Sequence, residues 1–87
     1  MKMIILIVKD HDSDEVTQAL TSEQYRVTRV ASTGGFLRSG VVTLLLGVDD
    51  DRVDQAIGLI RTKLGSAPSS EKRATLFVVP VERFEQI

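Results

Sequence analysis

Two stretches of the chain, Met3-Ile4-Ile5-Leu6-Ile7-Val8 and Val41-Val42-Thr43-Leu44-Leu45-Leu46-Gly47-Val48, are apolar at almost every position rather than at every second one. Successive side chains of a strand point to opposite faces of its sheet, so a run like this needs cover on both sides. The first run is too short for a membrane span or a signal-peptide core, and Lys9-Asp10-His11-Asp12 follows it with no small-residue cleavage site. Both runs therefore read as central strands of a soluble sheet, and a cytoplasmic location is expected.

The segments between them set the order of elements. After the first strand, over 3–8, Asp12 offers an N-cap and Glu15 a carboxylate three residues later, in the manner of a capping box. Val16, Ala19 and Leu20 keep helical spacing, which predicts a helix over about 13–21. Residues 24–32 read as a second strand, with Val27 and Ala31 facing opposite to Arg26, Thr28 and Ser32. It is the most polar of the strands, which suits an edge. The third strand is the second apolar run. Asp49-Asp50-Asp51 then opens a second helix where the dipole favours negative charge. Val53, Ala56, Ile57, Ile60 and Leu64 carry that helix on, and Gly65 is placed to end it. Residues 66–73 form a short loop, and Ala74 to Val79 a fourth strand stopped by Pro80. The order βαββαβ predicts a single α+β domain over 1–87 with a ferredoxin-like arrangement, in which the first and third strands are central.

That arrangement has a consequence for assembly. Two helices cover only one face of a four-stranded sheet. Ile4, Leu6, Val8, Val42, Leu44 and Leu46 can take the covered face, which leaves Met3, Ile5, Ile7, Val41 and Leu45 on a bare one. A contiguous aliphatic face of that size is a partner surface, so a homo-oligomer packed through its sheets is expected.

The composition removes several classes of function. A formal net charge of −1 argues against binding to a nucleic acid polymer, which calls for a clear basic excess. With no cysteine, disulfides, Cys-based zinc sites and thiol catalysis are excluded. His11 is the only histidine; beside Asp10, Asp12 and Asp14 it lacks metal-ligand spacing and reads as part of a solvated, helix-capping turn. Asp49-Asp50-Asp51 with Asp54 lacks the alternation, glycine and distal Glu of a calcium loop. The serines have no histidine base except Ser13 near His11, and no oxyanion-hole motif accompanies that pair. No enzyme, no metal and no cofactor are expected. RNA recognition by base stacking on central strands is excluded, because those strands carry no aromatic residue.

What remains is Thr33-Gly34-Gly35-Phe36-Leu37-Arg38-Ser39-Gly40, between the second and third strands. Adjacent glycines allow positive φ and can present consecutive N–H groups to an anion, although a simple hairpin turn would use them equally well. Arg26 and Thr28 project toward the base of this loop, Arg29 and Arg38 add charge, and Phe36 and Leu37 offer apolar contact for a base or ribose.

Arg26-Val27-Thr28, the 33–40 segment, and Gly47-Val48 before Asp51-Arg52-Val53 resemble the PII-like cyclic di-AMP receptors. So do the opening Met-Lys-Met-Ile-Ile with Asp10-His11-Asp12-Ser13, and the close Ala74-Thr75-Leu76-Phe77-Val78-Val79-Pro80-Val81-Glu82 with Phe84. The resemblance implies a non-catalytic homotrimer that binds the cyclic dinucleotide between subunits and signals to a protein target through ordering of the loop. It also implies ligand contacts at Arg26, Thr28, Gly35, Phe36, Leu37, Gly47 and Phe77, with Thr33, Gly34 and Val41 beside them and Phe77 reaching the site from a neighbouring subunit. Three positions depart from the family pattern. Val41 stands where the family usually has an adenine-reading Asn. Lys72-Arg73 replaces a pair of glycines, and is expected to add phosphate affinity. The 66–73 loop is short where the family's is long. These departures leave an alternative: a module of the same fold that binds another adenine nucleotide or acts only through protein–protein contacts.

Overall fold

The structure, a computed structural model, describes residues 1–30, 40–65 and 73–87. Strand β1 (Lys2–Lys9) leads directly into helix α1 (Asp10–Ser22). Strands β2 (Val27–Val30) and β3 (Val41–Val48) follow, then a 3-10 turn at Asp50–Arg52, helix α2 (Val53–Leu64) and strand β4 (Ala74–Pro80). The four strands form one antiparallel sheet in the order β2-β3-β1-β4, with the two most apolar strands in the middle. Element order and strand order are those of a small α+β fold compatible with the ferredoxin-like arrangement.

The register divides the apolar residues between two faces. Ile4 lies opposite Leu46, Leu6 opposite Leu44 and Val8 opposite Val42, and all six are buried beneath the helices. Val16 and Leu20 of α1 and Ala56, Ile60 and Leu64 of α2 close this core. On the other face the rows read Val30–Thr43–Ile7–Thr75 and Thr28–Leu45–Ile5–Phe77 from edge to edge. Ile5, Ile7 and Leu45 are only half-buried there, and Phe77 is 51% exposed. The bare aliphatic face expected from the double alternation is present.

Local boundaries differ from the sequence reading in instructive ways. Helix α1 begins at Asp10 rather than near 13, with Lys9 at the N-cap and no side-chain cap. The Asp10 N–H donates instead to the Gly40 carbonyl at 2.7 Å, and Ser13 Oγ donates to the Asp10 carbonyl at 2.8 Å. Asp12 is therefore not a cap. It is buried, and its Oδ1 accepts from Arg73 Nη2 at 2.9 Å across 61 residues of sequence. Arg73 also donates through Nη1 to the Leu64 carbonyl at the end of α2.

The second strand starts at Val27, not at 24, because the chain first closes α1 with a Schellman motif. The Tyr25 N–H donates to the Leu20 carbonyl and the Gln24 N–H to the Thr21 carbonyl, both at 3.0 Å, which spends these donors on the helix end. Gln24 consequently adopts φ +67°. Gly65 ends α2 at φ +71°, with its N–H on the Arg61 carbonyl, as its placement in the sequence predicts. Among the described residues no helix is long and apolar enough to cross a membrane, and no group of three His, Asp or Glu side chains could hold a metal ion.

Candidate functional site

Of the sequence-predicted site residues, Thr33, Gly34, Gly35, Phe36 and Leu37 lie outside the described residues, as do Arg38 and Lys72. The described ones, Arg26, Thr28, Val41, Gly47 and Phe77, are distributed over the helix-free side of the sheet. Thr28 pairs with Leu45, and Phe77 pairs with Ile5 in the same cross-sheet row. Arg26 immediately precedes β2 on the parity of Thr28. The period-2 geometry of a strand is what places these separated residues on one side.

Arg26, Thr28 and Gly47 come together. With Met3 and Leu45 they form the sheet side of a groove of about 690 Å³, a volume in the range of small-molecule sites. Its opposite wall is the segment after β4, including Val81, Glu82, Arg83, Phe84 and Gln86. This segment is tied to the sheet by the Val81 N–H on the Met1 carbonyl at 3.1 Å. Gly47 is at a point of close approach: a Cβ there would sit 3.2 Å from Met1 Cε. The Met1 amine in turn pairs with Asp50 at 2.8 Å, and that hydrogen bond holds the Asp50 carboxyl below its ordinary value of 3.8.

Phe77 and Val41 are not part of this groove. Phe77 is separated from Thr28 by three strand spacings, roughly 14 Å, and Val41 lies at the far end of β3, about 20 Å from Gly47. Two of the arginines also have duties elsewhere. Arg29 alternates to the helix side and pairs with Asp10 at 2.7 Å and Asp14 at 3.5 Å, so it supplies no charge to the groove. Arg73 is held by Asp12 and the Leu64 carbonyl, away from the groove, and Lys72, expected with it to add phosphate affinity, lies outside the described residues.

Arg26 is different. It is exposed, lines the groove, and makes no hydrogen bond or ion pair with any described residue. A cation with no partner among the described residues, a hydroxyl and a glycine, against an apolar floor of Met3 and Leu45, suit an anionic group joined to an apolar ring.

The contribution of residues 80–86 was missed in the sequence. Phe84 was visible as an aromatic residue, but nothing in local spacing shows that the segment after β4 runs beside β2 and β3. Met3 and Leu45 were legible through alternation.

The chain is similar over 99% of its length to a functionally unknown protein from Pediococcus pentosaceus ATCC 25745, whose crystal structure it matches over 96% of that chain, with a TM-score of 0.78 and 28% sequence identity. The two chains thus align end to end. Residues 1–69, which carry Arg26, Thr28, Val41 and Gly47 and stop short of β4 and Phe77, match the family model described as cyclic-di-AMP receptor. With most of its length inside that match and the unpaired arginine and glycine of the groove within it, the chain belongs to the cyclic-di-AMP receptor family.

Proposed function

We propose that the protein is a non-catalytic cyclic di-AMP receptor whose groove at Arg26, Thr28 and Gly47 takes a phosphate and the attached nucleoside. The observation that carries this reading is the unpaired Arg26 guanidinium beside Thr28 and Gly47 in a groove of about 690 Å³, within the segment that matches the receptor family. Arg26 would give charge-assisted bonds to a phosphate oxygen, Thr28 Oγ1 a neutral one, and Gly47 room for the ligand to approach the backbone.

A homotrimer packed through the helix-free faces completes the proposal. The exposed Phe77 and Val30 and the half-buried Ile5, Ile7 and Leu45 of that face support it, since a surface of this kind is costly to leave in water. In such an assembly Phe77 of one subunit would reach a site that its own chain places it too far from. Relay to a protein target through ordering of the loop containing Thr33, Gly34, Gly35, Phe36 and Leu37 belongs to the same proposal and rests on the resemblance of that segment.

A second reading is favoured by one observation. Val41 is a half-buried aliphatic residue at the family's usual adenine-reading Asn position, and it cannot hydrogen-bond a base edge. A module that takes another adenine nucleotide would tolerate it. Calorimetric titration with cyclic di-AMP, against ATP, AMP and cyclic di-GMP, separates the two. Saturable cyclic di-AMP binding near one per subunit, weakened at least tenfold by Arg26→Ala, is the expected result. Heat with ATP or AMP alone would replace the first reading with the second.

A further inference from the structure

We propose that Arg52 is a positioning residue for the groove, acting through Tyr25 to fix the direction in which Arg26 presents its guanidinium; the inference rests on the cyclic di-AMP reading. Arg26 lies before the first residue of β2, so the sheet's hydrogen bonds do not hold it. What holds it is the segment just upstream, and that segment is anchored from the other side of the fold. The Arg52 guanidinium stacks 4.1 Å from the centroid of the Tyr25 ring, and its Nη2 donates to the Glu23 carbonyl at 3.0 Å. The Tyr25 hydroxyl lies 3.1 Å from the Arg52 carbonyl and 3.0 Å from Gln55 Oε1. Gln55 Oε1 also accepts from Arg52, from Nε at 3.4 Å and Nη2 at 3.3 Å.

These contacts close a ring: Glu23 carbonyl to Arg52, Arg52 to Gln55, Gln55 to Tyr25. Tyr25 itself is buried. Gln24, between Glu23 and Tyr25, is the one described non-glycine residue at positive φ, a conformation that persists only where its surroundings impose it. Arg52 and Arg26 line a common cavity of about 210 Å³ with Gly47, so the brace stands directly behind the groove. A guanidinium fork binds a phosphate well only in one plane, and a fixed backbone at Glu23 and Tyr25 sets the point and direction from which the Arg26 side chain leaves the chain.

A positioning role differs from direct ligand contact and from simple stabilisation in how its loss combines with changes at Arg26. Lysine at position 26 keeps the charge but has no planar fork to orient, and it leaves binding measurable. Calorimetry with cyclic di-AMP on the full-length wild type, Arg52→Ala, Arg26→Lys and the double variant provides the test. Arg52→Ala is expected to weaken binding about tenfold in the wild-type background and less than twofold in the Arg26→Lys background, since residues that act through one another are not additive. Arg52→Lys, which keeps a cation on the ring, recovers part of the loss. Tyr25→Phe removes the hydroxyl contacts but keeps the buried ring, and is expected to weaken binding in the same background-dependent way if Arg52→Ala fails to fold. Losses that multiply across the two positions, or variants at 52 and 25 that bind as wild type, would overturn the inference. Absence of cyclic di-AMP binding by the wild type would instead remove the reading on which it rests.

Discussion

Single residues in this chain are often fixed by partners far away in sequence, and Asp12 is the clearest case. It occupies the first turn of α1, yet it is only 6% exposed, and its charge is met by Arg73 from just before β4. Its second oxygen, Oδ2, has no hydrogen-bond partner among the described residues. Removing the arginine would strand a buried carboxylate already short of one donor. Arg73→Ala is therefore expected to cost about 3 kcal/mol in urea unfolding, whereas replacing Asp12 and Arg73 together with apolar residues of similar size should recover most of that loss. Sequence reasoning assigned Asp12 to capping because local spacing permits it. The competing partner lies 61 residues away and no local pattern announces it.

At the scale of elements, the hydrophobic periodicities were legible and the ends were not. Strands β1 and β3 follow from their unbroken apolar runs, and helix α2 from the spacing of Val53, Ala56, Ile60 and Leu64. The start of α1 was less legible than its end, because Asp10 opens the helix on the Gly40 carbonyl and not on a side-chain cap, and the Schellman motif that closes it uses Gln24 where glycine or asparagine is usual. This predicts a gain: Gln24→Gly should raise stability by roughly 0.5–1 kcal/mol in thermal or urea unfolding, because glycine takes positive φ without the Cβ penalty. A loss would mean that the Gln24 side chain makes up for its strained backbone.

For the whole molecule, the question is what covers the second face of the sheet. Ile7 sits in the row Val30–Thr43–Ile7–Thr75, away from the groove lined by Arg26 and Gly47. Ile7→Lys should therefore leave the secondary structure intact while shifting the protein from the proposed trimer toward a monomer in light scattering coupled to size-exclusion chromatography. A wild type that is already monomeric would count against assembly through this face.

The sequence alone determined the α+β class, the central strands and which residues share each face, because these depend on periods of 2.0 and 3.6 that any window of the chain displays. It also put Arg26 and Thr28 on one face of the edge strand by parity, and the resemblance to the receptor family added Gly47. Tertiary structure alone decided which charges remain free. Arg29 is claimed by Asp10 and Asp14, Arg73 by Asp12, and Arg52 by Glu23, Gln55 and the Tyr25 ring, while Arg26 at the groove has no partner among the described residues. Ion pairs between distant segments depend on distances of a few ångströms that only the folded chain sets, so no one-dimensional pattern shows which of these four arginines is paired.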